Sequence, residues 1–150
     1  MKKTLFALCL AACAAVALLA VSSAAPAPMS PVIITPGAVK WMPVKGMGGL
    51  QSAVLFGDPS KAGSEYAIRY ELPDGFKFPP HMHPLPEQVT VISGTFMVGL
   101  GNTITPAKML SLPAGSYVAL PAKVHHYAVA KGVTVVEVHG VGPFQIIWVK

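Results

Sequence analysis

The eight residues Glu65–Leu72, EYAIRYEL, limit most sharply what this chain can fold into. Tyr66, Ile68, Tyr70 and Leu72 fall on one side of an extended segment, and Glu65, Ala67, Arg69 and Glu71 on the other. A period of two belongs to a β-strand with one buried face; a helix would scatter the same residues around its circumference. Pro73-Asp74-Gly75 then reads as a turn, since Pro presets φ and Gly accepts a positive one. From Val39 onward Gly and Pro recur every 8–12 residues or so, the punctuation of many short strands. Further strands are predicted at 49–56, 88–92, 95–100, 108–112, 117–120, 125–130, 133–139 and 144–149. No segment of ten or more residues in this region carries a helical stripe, and no internal repeat is visible. The chain therefore reads as all-β, a sandwich or small barrel.

The N-terminal end follows a different logic. Lys2 and Lys3 precede an apolar run from Thr4 to Val21, which exits into small residues at SSAAPAP. This is the layout of a secretory signal peptide over residues 1–24, with cleavage expected after Ala24. The pattern predicts a periplasmic or secreted bacterial protein, exported through a Sec-type route because no twin arginine is present. Leu10-Ala11-Ala12-Cys13 offers a lipobox as the minority alternative, but the residues after Cys13 stay apolar where a lipoprotein turns polar. A permanent span is disfavoured by a run near the lower limit of about 17 residues and by its small-residue exit. Processing would remove Cys9 and Cys13, leaving no disulfide, thiolate ligand or cysteine nucleophile. It would also remove two lysines from a net charge of +5. Residues 25–38 form a proline-rich lead, extended and loosely ordered, ahead of a single domain at 39–150. The remaining basic residues, such as Lys61, Arg69, Lys77, Lys108 and Lys131, are scattered singly, which argues against a nucleic-acid surface.

The chemistry concentrates in FKFPPHMHPLPE, residues 76–87. On a strand, His81 and His83 would project from one face, an economical way to present two nitrogens to one ion. Glu87 lies beyond Pro84-Leu85-Pro86, which cannot continue a ladder without N–H groups; the chain must bend, and Glu87 opens the next strand. Taken alone, this stretch is equally consistent with a solvated proline-rich loop. A metal site would need a third imidazole, from His125, His126 or His139.

Here the chain resembles the cupin family. Its first motif is Gly, five residues, His-x-His, three or four residues, Glu, six residues and Gly, and Gly75, His81, His83, Glu87 and Gly94 fill each fixed position. Its second is Gly, five residues, Pro-x-Gly, two residues, His, three residues and Asn; Gly115, Pro121 and His126 match, while Lys123 replaces the glycine and Ala130 the asparagine. The first departure touches a turn in which glycine often serves a positive φ. The resemblance spans about 39–149. It implies a single small cupin β-barrel, a jelly-roll-like double-stranded β-helix, with His81, His83, Glu87 and His126 as metal ligands. His125 and His126 must face opposite ways, and the motif frame selects His126. His125 is then a partly exposed neighbour and His139 a satisfied structural histidine.

Three neutral imidazoles and a carboxylate leave a divalent ion with a net charge of about +1, a set that suits Zn, Cu, Fe, Mn or Ni. Metal acquired outside the cytoplasm favours zinc or copper by intrinsic affinity. The resemblance leaves three uses open: a metal-dependent dioxygenase, decarboxylase or isomerase, a zinc-binding sensor or ligand-binding module, and a barrel whose metal is structural. The partner expected is a small oxygenated molecule. There is no expected nucleic acid or membrane span after processing, and a homodimer through barrel faces, involving Trp41 or Trp148, fits the family habit. Tyr66, Tyr70, Arg69, Gln88, Tyr127 and Glu137 are pocket candidates, each more readily core or surface, and Met82, Met97 and Met109 are apolar filling. The missing G-x-S-x-G elbow argues against a serine hydrolase, and an H-x-H on a strand in place of H-E-x-x-H on a helix argues against a zincin.

Overall fold

The computed structural model describes residues 30–150. The signal peptide, its cleavage after Ala24, the Cys13 alternative and the start of the lead at 25–29 lie outside the described residues. Within the unit Val32–Lys150 nine strands form: β1 Met42–Pro43, β2 Gln51–Gly57, β3 Glu65–Leu72, β4 Lys77–Met82, β5 Glu87–Leu100, β6 Leu110–Pro113, β7 Tyr117–Leu120, β8 His126–Val141 and β9 Ile147–Trp148. The only helices among the described residues are two 3-10 turns, Pro36–Ala38 and Pro106–Lys108. The all-β expectation holds.

Two long strands organise the sheet. β5 and β8 pair with each other in antiparallel fashion from Gln88↔His139 to Leu100↔His126. The first half of β5 also pairs with β7 and the second with β6. The C-terminal half of β8 takes β3 on its other edge and the N-terminal half takes β4, which in turn carries β9. β1 and β2 extend the sheet from β3. One pair of strands thus serves two sub-sheets, and the sheet curls into a small barrel.

The sequence pattern predicts separate strands at 88–92 and 95–100, and again at 125–130 and 133–139, whereas each pair is one continuous strand. The break in alternation is a bulge. In β5 the inward residues are Val89 and Val91, then Phe96 and Val98, so the parity switches at register shifts on either side of Ser93. Gly94 makes this bend with φ +75°, and a Cβ there would lie 2.4 Å from the Val133 carbonyl oxygen. Thr134, fully buried, pins the corner: its Oγ1 accepts from the Thr95 N–H at 3.2 Å and lies 3.1 Å from the Thr95 carbonyl. A buried hydroxyl satisfied in this way avoids the cost of an orphaned polar group.

β3 buries the face its alternation predicts. Tyr66, Ile68 and Leu72 join Leu50, Phe78, Val136 and Val138 in the core, with Tyr70 packed against them. Tyr127, next to His126, points to the opposite side of β8 yet is completely buried. The 101–109 connection covers it, with the Thr105 N–H donating to its hydroxyl at 3.1 Å. Gly99 clears space for the ring, since a Cβ there would stand 2.3 Å from it.

Candidate metal centre

Three strand ends converge at one end of the barrel interior. His81 lies near the end of β4, opposite His126, the first residue of β8. Pro79 and Pro80 fall inside β4, where the register between Phe78 and His81 slips, so the ladder there needs no N–H from them. His83 follows the strand immediately, and Pro84 and Pro86 lie in the short link before Glu87 opens β5.

His81, His83 and His126 are all buried, and one ring nitrogen of each lies within 4.8 Å of those of the others. Their orientation is set from behind. The Nδ1 of His81 contacts the Pro79 carbonyl at 2.7 Å, that of His83 the Gln145 carbonyl at 2.7 Å, and that of His126 the Val124 carbonyl at 3.0 Å. A carbonyl can only accept, so each Nδ1 donates and each Nε2 carries the lone pair. Glu87, also buried, places Oε2 3.4 Å from His83 Nε2 and 3.5 Å from His126 Nε2. His83 Nε2 is buried with no hydrogen-bond partner among the described residues. Burial, then the neighbouring His126, hold His81 down to about pKa 4, so its ring is neutral at ordinary pH.

The C-terminal segment completes the support. Phe144 stacks on His83 with ring centroids 5.0 Å apart at 20°. β9 pairs Trp148 with His81 and Ile147 with Met82. From the other side, the Lys123 N–H donates to the His83 carbonyl at 2.8 Å. Lys123 occupies the position where the motif has glycine, and it adopts the glycine conformation, φ 65°. The turn closes with Lys123 in place, Val124 N–H reaching Pro121 O at 3.3 Å, at a cost of about 1–2 kcal/mol for a left-handed L-residue. Ala130, in the asparagine position, is a core residue whose backbone pairs with Gly75 and Phe76.

A cavity of about 190 Å³ adjoins the histidines, lined by the three imidazoles, Glu87 and otherwise chiefly apolar side chains. Of the pocket candidates, Tyr70 reaches it. Burial and the Glu87 carboxylate raise the Tyr70 phenol well above its usual pKa, and push Tyr66, which packs against Phe144, up to about 12. Arg69, Glu137 and His139 form a separate polar cluster away from the cavity, and Gln88 is exposed. His125 is half-buried and its Nδ1 contacts Asn102 Oδ1 at 2.6 Å. Met97 and Met109 lie in a surface groove. Sequence reasoning missed Ser52, which lines the cavity, and the Phe144 and Gln145 supports. Ser52 is the register partner of Tyr70, and that register was its only available signal.

The family profile described as "ChrR Cupin-like domain" matches residues 29–145. The chain belongs to this cupin family. No curated protein matches the cupin chain. Among solved structures it is similar to the polyketide cyclase RemF from Streptomyces resistomycificus, with 18% identity, 82% of this chain and 87% of that one covered, and a TM-score of 0.65. A putative acetylacetone dioxygenase from Methylibium petroleiphilum gives 17%, 83%, 85% and 0.64 in the same order. The Rhodobacter sphaeroides SigE complex with the anti-sigma ChrR gives 20%, 70%, 51% and 0.53. At these identities the likeness establishes the cupin fold alone.

Proposed function

We propose that His81, His83, Glu87 and His126 hold one divalent transition metal, and that the cavity they line admits a small oxygenated molecule. The observation that carries this reading is the set of three buried imidazoles, each tied at Nδ1 to a backbone carbonyl, with the His83 Nε2 left without a partner. An unsatisfied buried nitrogen costs about 1–3 kcal/mol unless something accepts its lone pair. Glu87 adds the anionic oxygen. A bound ion would supply Lewis acidity toward an oxygen ligand; the protein's own part is to fix the tautomers and exclude bulk water. The export signal read at 1–24 puts metal loading outside the cytoplasm, and this favours zinc or copper over iron, manganese or nickel.

Metal analysis of protein purified from its native compartment tests the ligand set. Wild type and His125→Ala should carry about one ion per chain and His126→Ala essentially none. Retention by His126→Ala with loss from His125→Ala would overturn the assignment, and stoichiometric iron or manganese would overturn the metal preference.

A second reading, a non-catalytic ligand sensor, draws support from the ChrR cupin-like family match. The dioxygenase and cyclase among the structural neighbours support the enzymatic one. Oxygen consumption or turnover of the bound molecule favours the enzyme, and tight binding without turnover the sensor.

A further inference from the structure

The cavity carries two sets of polar groups: the histidine and Glu87 cluster, and a pair of hydroxyls, Ser52 on β2 and Tyr70 on β3. These two residues are direct register partners, so their side chains lie on the same face of the sheet. Among the described residues the protein supplies no hydrogen-bond partner for either side chain. The remaining lining is apolar, including Val89, Phe96 and Val136, and no Lys, Arg, Asp, Asn or Gln borders the space.

Charge and volume together restrict what fits. With Glu87 as a ligand, a divalent ion leaves a charge of about +1, which a monoanionic chelator would neutralise. A second carboxylate or a phosphate would sit against apolar walls with no cation, and an unpaired buried charge is strongly disfavoured. A dry cavity of about 150 Å³ holds one benzene, so about 190 Å³ admits a molecule of similar or slightly larger size.

We infer that the cavity selects small monoanionic oxygen chelators with an apolar body, such as 2-hydroxy acids or enolised dicarbonyls, and that Tyr70, assisted by Ser52, positions them by donating a hydrogen bond to the chelating oxygens. The inference rests on the metal reading above. Tyr70 is a positioning residue and takes no part in holding the ion.

Two probes with the same chelating head separate the effects: 2-hydroxybutanoate, which ends in an ethyl group, and malate, which carries a second carboxylate. The full chain is loaded with cobalt(II), and binding is read from its visible absorption bands. Wild type should bind 2-hydroxybutanoate at least about ten-fold more tightly than malate. Tyr70→Phe should weaken 2-hydroxybutanoate about ten-fold, as expected for loss of a hydrogen bond to a charged group. Its cobalt affinity should stay within about two-fold, because Tyr70 lies outside the ligand set. Ser52→Ala should give a smaller loss of the same kind, and it serves as the second variant should Tyr70→Phe fold poorly. Equal or tighter malate binding, no response to either probe, or unchanged binding by both variants overturns the inference while leaving the metal reading intact. Failure of the wild type to bind cobalt overturns both.

Discussion

β8 presents histidines on both of its faces, and the two clusters they join differ in one decisive respect. His126 points inward to His81, His83 and Glu87; thirteen residues later His139 points outward, where its Nε2 lies 2.8 Å from Glu137 Oε1. The outer cluster is closed. Glu137 accepts from the Arg69 guanidinium on β3, its direct register partner, and from His139 on its own strand. Burial alone would raise the Glu137 pKa, but the bonds from Arg69 and His139 outweigh it and hold the carboxyl low. The inner cluster is open, for its imidazoles spend Nδ1 on backbone carbonyls and turn Nε2 toward one another and the cavity. A histidine and a carboxylate in proximity are therefore not a site. What distinguishes a site here is unspent bonding capacity in a buried place.

The largest expected effect sets the two clusters side by side. His83→Ala should weaken metal binding by at least about 100-fold, more than loss of an outer-sphere partner costs, whereas His139→Ala should leave it unchanged in the same equilibrium titration. Loss of metal in both variants would erase the distinction between the faces.

Acid should unfold the metal-free protein in two separable windows. The folded-state pKa of His81 is lowered from 6.5 to about 4. Between those values the unfolded chain takes up a proton that the folded one refuses. This contribution is full above 6.5 and falls with pH toward 4, by up to about 1.4 kcal/mol per pH unit for one proton. Glu137 acts lower: its folded-state pKa lies below the ordinary 4.5, so its contribution is present above that value and lost as pH falls through the folded one. Denaturant titrations against pH should show His81→Gln flattening the upper window only and Glu137→Gln the lower one only. A single variant that flattens both would mean the clusters titrate as one.

The smallest effect concerns the support of the inner cluster. Lys123→Gly removes a left-handed strain of about 1–2 kcal/mol but adds unfolded-state freedom worth about 0.4–1 kcal/mol. A net stabilisation of roughly 0.5–1 kcal/mol with unchanged metal affinity is expected from thermal melts and titration. A destabilised variant would show that the lysine side chain contributes something beyond its backbone.

The β-period, the turn glycines and the motif spacing are local properties, so they were legible: EYAIRYEL buries the predicted face, and the spacing from Gly75 to Gly94 brought the family into view. The continuity of β5 was hidden, because the bulge at Ser93-Gly94 reverses which residues face inward and mimics a strand break. The replacement of glycine by Lys123 looked like a threat to a turn, and only the backbone shows the lysine taking the glycine conformation.

By itself, the sequence determined an all-β chain, a cupin-like pair of motifs and the candidate ligands, because alternation and spacing act over a few residues at a time. Tertiary structure decided which groups complete the surroundings of those ligands. Gln145 and Phe144 reach His83 from the far end of the chain, and Ser52 meets Tyr70 across two strands. Those meetings depend on strand register and barrel closure, which arise from the whole core and are written in no single segment.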